Sequence, residues 1–386
     1  MLNRIIGVAE DARLVAARQT NTRCHLSGDA DRFPNFLPSL LIPHLISAER
    51  LLRGVTKVCQ MGREVPLDML LVRTGENWRL RTDVLPAMCE RGLSFVINAI
   101  DEAVPAIGAL NAAIERRWRM ESWTNAYWSH GSASAFNPHA DNHDVLVLQV
   151  YGTKEWRCWG ALDPFPTKSR AYTPDKLPKP EWSCVMQPGD ILFVPRGDVH
   201  AAELRGPSSL HLTVALRPPQ VRELPALLQT DPKNEFTRRD MPVQSDADFT
   251  AHLAWLRGMV DACDPTELLS QLDHARPPYQ PNNLGIVACD DTLLASTLRR
   301  RIPAERLEDG RYRITPAGWP FILSAGEWAV IDLLHTVGSM TLRQLTTALP
   351  EVGAWDAVNS LIQKSLLFAL SSSDYGERTW EIDFEC

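Results

Sequence analysis

The sequence predicts an α+β fold in which a strand-rich barrel or sandwich is followed by a helical region and a small, mostly helical C-terminal unit. Three observations carry this. Between Trp123 and Arg217, six short apolar segments such as "DVLVLQVYG", "WSCVMQPGD" and "LHLTVALR" are separated by turns, the spacing of a sandwich or barrel. Residues 218–274 change to helix-type periodicity in "VRELPALLQT" and "SDADFTAHLAWLRGMVDAC", with Ser245 or Asp246 placed to cap the second segment. "ARPPYQPNN", residues 275–283, reads as a linker or extended connection. Three successive helix-like segments follow it, the order of a winged-helix or helix-turn-helix unit.

The 386 residues are many for one core and suggest two or three domains. Hydrophobic residues make up 45% and charged residues 23%, as in a soluble globular protein. No run of 18 apolar residues occurs, so no membrane helix is expected. "MLNRIIGVAEDARLVAARQ" lacks a long apolar stretch and a small-residue cleavage site, and reads as an amphipathic helix rather than a secretory signal. The eight cysteines form no C-x-x-C pair, which argues for reduced core thiols in a cytoplasmic setting and against a cysteine zinc site. The net charge of −7 disfavours general nucleic-acid binding. It leaves a basic protein or peptide partner open.

Before the barrel, residues 34–120 mix patterns. "SAERLLRGVTKV" reads as a serine-capped helix and "LDMLLVRTGENWRL" as a strand and turn. "LSFVINAIDEAVPAIGALNAAIERRWRM" begins as a strand and becomes a helix. In the barrel, Val145 to Leu148 are apolar on both alternating faces, so that strand is expected to be buried on both sides.

The chemistry concentrates in "NPHADNHDVLVLQVYGTKEW". His139 and Asp141, two apart on extended backbone, share a face that one cation can reach. "QPGDILFVPRGDVHAAEL" supplies a third ligand, His200, after a turn, a strand and a second turn. A double-stranded barrel brings that strand end beside His139. Two histidines and a carboxylate with positions left open form the facial triad of non-haem Fe(II) oxygenases. A single H-x-D is weak evidence; the second segment supplies the context it needs. An Fe(II) enzyme that uses 2-oxoglutarate also needs a cation for the distal carboxylate, because burying that group unpaired is costly. Lys154 is the candidate, and Arg157 competes with it.

With these residues assembled, the stretch from about Thr20 to Arg217, roughly half the chain, resembles the JmjC-type Fe(II)- and 2-oxoglutarate-dependent oxygenases, and within them the ribosomal-oxygenase branch. The matching segments are "HADNHDVLVLQVYGTKEWRCW" and "PGDILFVPRGDVH". The resemblance implies a double-stranded β-helix, the cupin or JmjC jelly roll, over residues 1–220 with its N-terminal elaboration. It implies a helical dimerisation region over 221–280 and a winged-helix-like domain over 281–386. It implies that His139, Asp141 and His200 bind Fe(II), that Lys154 holds 2-oxoglutarate, and that Asn125, Tyr127 and Thr213 lie near that cosubstrate. O2 is the second cosubstrate. The activity implied is hydroxylation of a protein or peptide side chain, coupled to oxidative decarboxylation of 2-oxoglutarate, by a homodimer. A ribosomal-protein residue and a ribosomally made natural-product precursor peptide both remain open as substrate. A reading from another class is a non-catalytic cupin-like metal-binding regulatory protein; it has no need of a buried carboxylate anchor. The C-terminal helices carry Glu327, Asp332, Glu351 and Asp356 against Arg343 and Lys364, unlike a basic DNA-reading helix.

Three other histidines need weighing. His143 lies in register with the H-x-D pair, but the family triad skips it, so a place beside the substrate is favoured over a fourth ligand. His211 alternates with Ser209 and Thr213 and reads as a hydrogen-bonded core histidine. His130 reads as a loop residue near the site entrance. Trp123, Trp128, Trp156 and Trp159 are near enough in sequence to line a substrate groove.

Overall fold

The computed structural model describes residues 2–33, 56–60, 63–75, 77–131, 136–227 and 246–371. Helix α1 (Val8–Gln19) leads into strand β1 (Cys24–Leu26). Strands β2 (Thr56–Gln60) and β3 (Leu93–Ile97) pair with each other, and helix α2 (Pro105–Trp118) follows. The barrel is then built from β4 (Glu121–His130), β5 (His139–Ala140), β6 (Asp144–Ala161), β7 (Trp182–Met186), β8 (Ile191–Val194) and β9 (Asp198–Arg217).

Two long strands, β6 and β9, organise this barrel. They pair antiparallel along nearly their whole length, with register shifts near residues 205–211. Their outer halves belong to the order β1-β8-β6-β9-β4-β3-β2. Their inner halves pair with β7 on one side and with β5 on the other. One pair of strands thus serves two sheets, which gives the jelly roll its double wall. "DVLVLQVYG" and "KEWRCWG" are therefore one strand, because Gly152 bends it without ending it. Gly152 has φ +61, and a Cβ there would lie 2.1 Å from the Ser208 carbonyl oxygen, so only glycine fits. "LHLTVALR" is likewise the second half of β9.

Asp144 to Val150 are all buried, as the sequence predicts. Leu146, Leu148 and Val150 face the large core that includes α2. Val145 and Val147 face the barrel interior with Trp156, Met186, Leu192 and Val194. Beyond Gly152 the strand alternates, burying Lys154, Trp156 and Cys158.

Upstream, "LDMLLVRTGENWRL" forms a hairpin of Leu71–Thr74 with Asn77–Leu80, and "LSFVINAI…" is the expected strand then helix. For "SAERLLRGVTKV", residues 47–55 lie outside the described residues. Its end is not helical: Thr56 and Val58 alternate inward on β2.

Helices α3 (Asp246–Asp261) and α4 (Pro265–His274) follow the barrel. Asp246 is itself helical in α3 rather than capping it, and Ser245 lies outside the described residues. The C-terminal unit comprises β10 (Leu293–Ser296), α5 (Ala325–Val337), β11 (Ser339–Thr341), α6 (Leu342–Ala348), α7 (Ala354–Gln363) and β12 (Leu367–Leu370). Its sheet runs β11-β10-β12. Ser324 and Thr341 cap α5 and α6 in reciprocal boxes with Glu327 and Gln344. One face of the sheet packs on these helices through Leu294 and Leu367. The other face, Leu293, Ala295, Phe368 and Leu370, joins the core around α2.

"ARPPYQPNN" is a packed seam. Tyr279 is buried, donates to Asp101 at 2.7 Å and lies 3.7 Å beneath the Arg299 guanidinium. Beside it sits Glu115 of α2, fully buried, which accepts from Arg276 (3.1 Å), Arg300 (2.8 Å) and the Ser122 amide (2.9 Å). Among the described residues no helix is long and apolar enough to cross a membrane.

Candidate active site

The barrel interior holds a largely apolar cavity with a few convergent polar groups, walled by β4, β5, β6 and β9 and by the loop that carries Asp141. His139 on β5 pairs directly with His200 on β9. Asp141 follows β5 and is held by two turns: its carbonyl accepts from the Gly197 amide at 2.9 Å, and the Asp144 carboxylate accepts from the Arg196 amide at 2.9 Å. Gly197 has φ +80, and a Cβ would sit 2.0 Å from the Asp163 carbonyl oxygen. The P-R-G turn therefore needs its glycine to bring His200 and Asp141 together.

The Asp141 Oδ2 lies 3.9 Å from His139 Nε2 and 3.7 Å from His200 Nε2. All three ligand atoms lie within 4.8 Å of one another. Each imidazole spends its Nδ1 on a backbone carbonyl: His139 on Asn137 at 3.0 Å and His200 on Asp198 at 2.9 Å. That bond puts the proton on Nδ1 and leaves Nε2 as a free donor pair. Ser169 donates to Asp141 Oδ1 at 3.0 Å, which leaves Oδ2 for a cation. Burial works to raise the Asp141 pKa, but His200, His139, His143 and the Ser169 bond together hold it below the ordinary value. Burial, helped by His139, pushes His200 down to about 4, so it is neutral at neutral pH. Two imidazoles and one carboxylate, all on one side, suit a first-row divalent cation such as Fe(II).

Deeper in the cavity lies Lys154, only 4% exposed. Its Nζ donates to Ser129 Oγ at 2.8 Å and lies 3.2 Å from His211 Nδ1. Among the described residues it makes no ion pair. Burial pushes its pKa down to about 7. Arg157, the competing cation, points outward and pairs with Glu155 and Glu203, each at 2.8 Å. A cation of this kind at the end of a cavity fits a carboxylate ligand, since only an anion offsets its burial.

Tyr127 and Thr213 also line the cavity. Asn125 pairs with Thr213 across β4 and β9 but is not part of the cavity wall; its Oδ1 accepts from the Ala99 amide at 3.1 Å and it hydrogen-bonds Tyr127. Burial pushes Tyr127 up to about 12. His143 is absent from the ligand cluster: its Nδ1 engages the Asp144 carbonyl and its ring meets Trp123 edge-on at 5.0 Å.

Three other readings can be set against the structure. His211 is the buried, hydrogen-bonded histidine expected, and it also lines the cavity, stacked on Tyr127 with ring centroids 4.8 Å apart. His130 faces away from the site and packs on Trp128 at 4.3 Å. Of the four tryptophans, Trp156 alone lines the cavity; Trp128 packs on Phe95 and Trp159 donates to the Pro178 carbonyl. Ser129 and Ser169 are missing from the sequence-level list. Strand alternation from Asn125 and Tyr127 points to Ser129, whereas nothing local marks Ser169, which reaches Asp141 from a loop 28 residues on.

Residues 107–224 match the JmjC domain. The chain is 29% identical over 202 residues to a Drosophila willistoni protein named bifunctional lysine-specific demethylase and histidyl-hydroxylase NO66; the match covers 49% of this chain and 26% of that protein. It is 34% identical over 109 residues to Homo sapiens ribosomal oxygenase 1, covering 27% of this chain and 17% of that one. The matches thus span about a quarter or less of these relatives' length. Among solved structures, the Escherichia coli ribosomal oxygenase YcfD superposes with a TM-score of 0.49 at 16% identity, covering 90% of this chain and 94% of that one. Residues 107–224 are thus a JmjC domain, and the proteins that the chain resembles over this region carry the names of ribosomal oxygenases and histidyl-hydroxylases.

Proposed function

We propose that this chain is an Fe(II)- and 2-oxoglutarate-dependent oxygenase that hydroxylates a side chain of a protein or peptide. The observation that carries the reading is the pairing, across one cavity, of the His139–Asp141–His200 cluster with a buried lysine that has no carboxylate partner among the described residues. A non-catalytic metal site accounts for the first feature and not for the second.

In this reading His139, Asp141 and His200 hold Fe(II), each through one atom. Lys154 holds the distal carboxylate of 2-oxoglutarate, with Thr213 beside it. Tyr127 packs the cosubstrate's flank, and Asn125 fixes Tyr127. When bound, the metal and cosubstrate supply the oxidising chemistry: with O2, 2-oxoglutarate gives succinate and carbon dioxide, and one oxygen atom goes to the substrate carbon. The chain orients these groups and excludes water, which Trp156 and Val145 do by lining the cavity with apolar surface.

The relatives' names, ribosomal oxygenase and histidyl-hydroxylase, favour a histidine side chain of a ribosomal protein as the target, with arginine as the other residue the resemblance implies. Residues 221–280 serve as a dimerisation region: within it Leu253, Leu256 and Val260 form an exposed stripe on α3 at helical spacing. Light scattering on the full chain reads the dimer expected; a monomer refutes that part. The C-terminal unit is winged-helix-like and meets substrate or packs, and the protein works in the cytoplasm. The enzymatic reading predicts Fe(II)-dependent formation of succinate from 2-oxoglutarate, lost in both His139→Ala and Asp141→Ala. Turnover retained in both variants refutes it.

A further inference from the structure

Lys154 is held by two neighbours, and their geometry limits what it offers a ligand. Its Nζ meets Ser129 Oγ at 2.8 Å and His211 Nδ1 at 3.2 Å. Ser129 is itself fixed, accepting from Ser94 Oγ at 2.8 Å. His211 is fixed from both sides of its ring, stacked on Tyr127 with planes 4° apart and meeting Trp156 edge-on at 5.7 Å.

A neutral lysine amine has two N–H bonds, and the protonated form has three. Two of them are spent on Ser129 and His211. A free donor for an arriving carboxylate exists only in the protonated form. We propose that His211 is a positioning residue for Lys154, and that by occupying one of its N–H bonds it couples the arrival of the cosubstrate's carboxylate to the uptake of one proton. This rests on the reading of Lys154 as the 2-oxoglutarate anchor.

The surroundings match. Nζ meets Ser129 from β4 and His211 from β9, and Tyr127, Thr213 and Trp156 line the same cavity. Of the acids on these strands, Glu155 and Glu203 turn outward to Arg157 and Arg205, Glu121 pairs with Arg217 and Arg276, Asp198 pairs with Arg23, and Asp144 accepts from the Arg196 amide. Asp141 stands across the cavity, committed to the histidine cluster. Burial and the Lys154 charge keep His211 neutral, with its pKa well below the ordinary value. Its Nδ1 is then free to accept, with the proton on Nε2.

The test is calorimetric titration of 2-oxoglutarate into the Mn(II)-loaded full chain, in pairs of buffers that differ in ionisation enthalpy. With the free lysine titrating near 7, the expected uptake is about 0.9 proton per site at pH 8 and about a quarter of a proton at pH 6.5. His211→Leu is expected to weaken binding about tenfold or more, and His211→Asn, which keeps an acceptor, to restore most of it. Binding without proton uptake at pH 8, or with wild-type affinity in His211→Leu, overturns the coupling and leaves the anchor reading intact. No binding of 2-oxoglutarate to the wild-type Mn(II) form overturns both.

Discussion

Two buried charges in this molecule are treated in opposite ways. Glu115 has no exposed surface and is surrounded by Arg276, Arg300 and the amide and hydroxyl of Ser122. Lys154 is almost as deeply buried and has only a serine and a neutral histidine. The first joins α2, the "ARPPYQPNN" seam and the residues after β10 into one body. The second is left without a counter-charge in a cavity that also holds the three candidate metal ligands. A compensated buried charge reads as structure. An uncompensated one, which costs stability as it stands, reads as a place for a ligand.

Removing each charge sharpens that contrast. Glu115→Ala leaves two guanidinium groups without their shared carboxylate and is expected to lower stability by about 3–5 kcal/mol, the largest effect foreseen here; denaturant unfolding with a loss under about 1 kcal/mol contradicts the structural reading. Lys154→Met is expected to move stability the other way, by roughly 1–3 kcal/mol at pH 6, while destroying cosubstrate binding. The sign with pH follows from the depressed lysine pKa, about 7 in the folded chain against about 10.4 unfolded. Between those values the unfolded chain binds more protons, so wild-type stability rises with pH. The advantage of Lys154→Met is therefore greatest below pH 7 and fades toward pH 10. A gap independent of pH contradicts the burial of a titrating amine. The smallest effect belongs to His143→Ala, expected to change Mn(II) affinity by less than about threefold, because the ring is turned to Trp123; a loss of the 10–100-fold size seen for groups that support metal ligands makes His143 part of the centre.

The histidine–aspartate cluster was legible because its chemistry is written in short, ordered segments: H-x-D before an apolar strand, and P-R-G before His200. Lys154 was one of two candidate cations on the residues alone, with Arg157, and only the family resemblance favoured it. His211 was legible as a buried, hydrogen-bonded histidine but its partner was not, since alternation says only that it faces inward and not that a lysine from the neighbouring strand ends beside it. The same limit applies to the long strands. Apolar runs broken by Gly152 and Gly206 look like separate strands, and only pairing shows that the chain bends between two sheets. The packed seam was hidden for a different reason: prolines and asparagines mark an absence of helix, and Tyr279 finds its partners, Asp101 and Phe368, far along the chain.

The central claim is that Lys154 lacks a counter-charge because a carboxylate supplies it. The direct measurement is the affinity of the Mn(II)-loaded chain for 2-oxoglutarate, compared between wild type and Lys154→Met at equal metal loading. The account predicts saturable binding to the wild type and a loss of at least about a hundredfold in the variant. Equal affinity in the two proteins contradicts it.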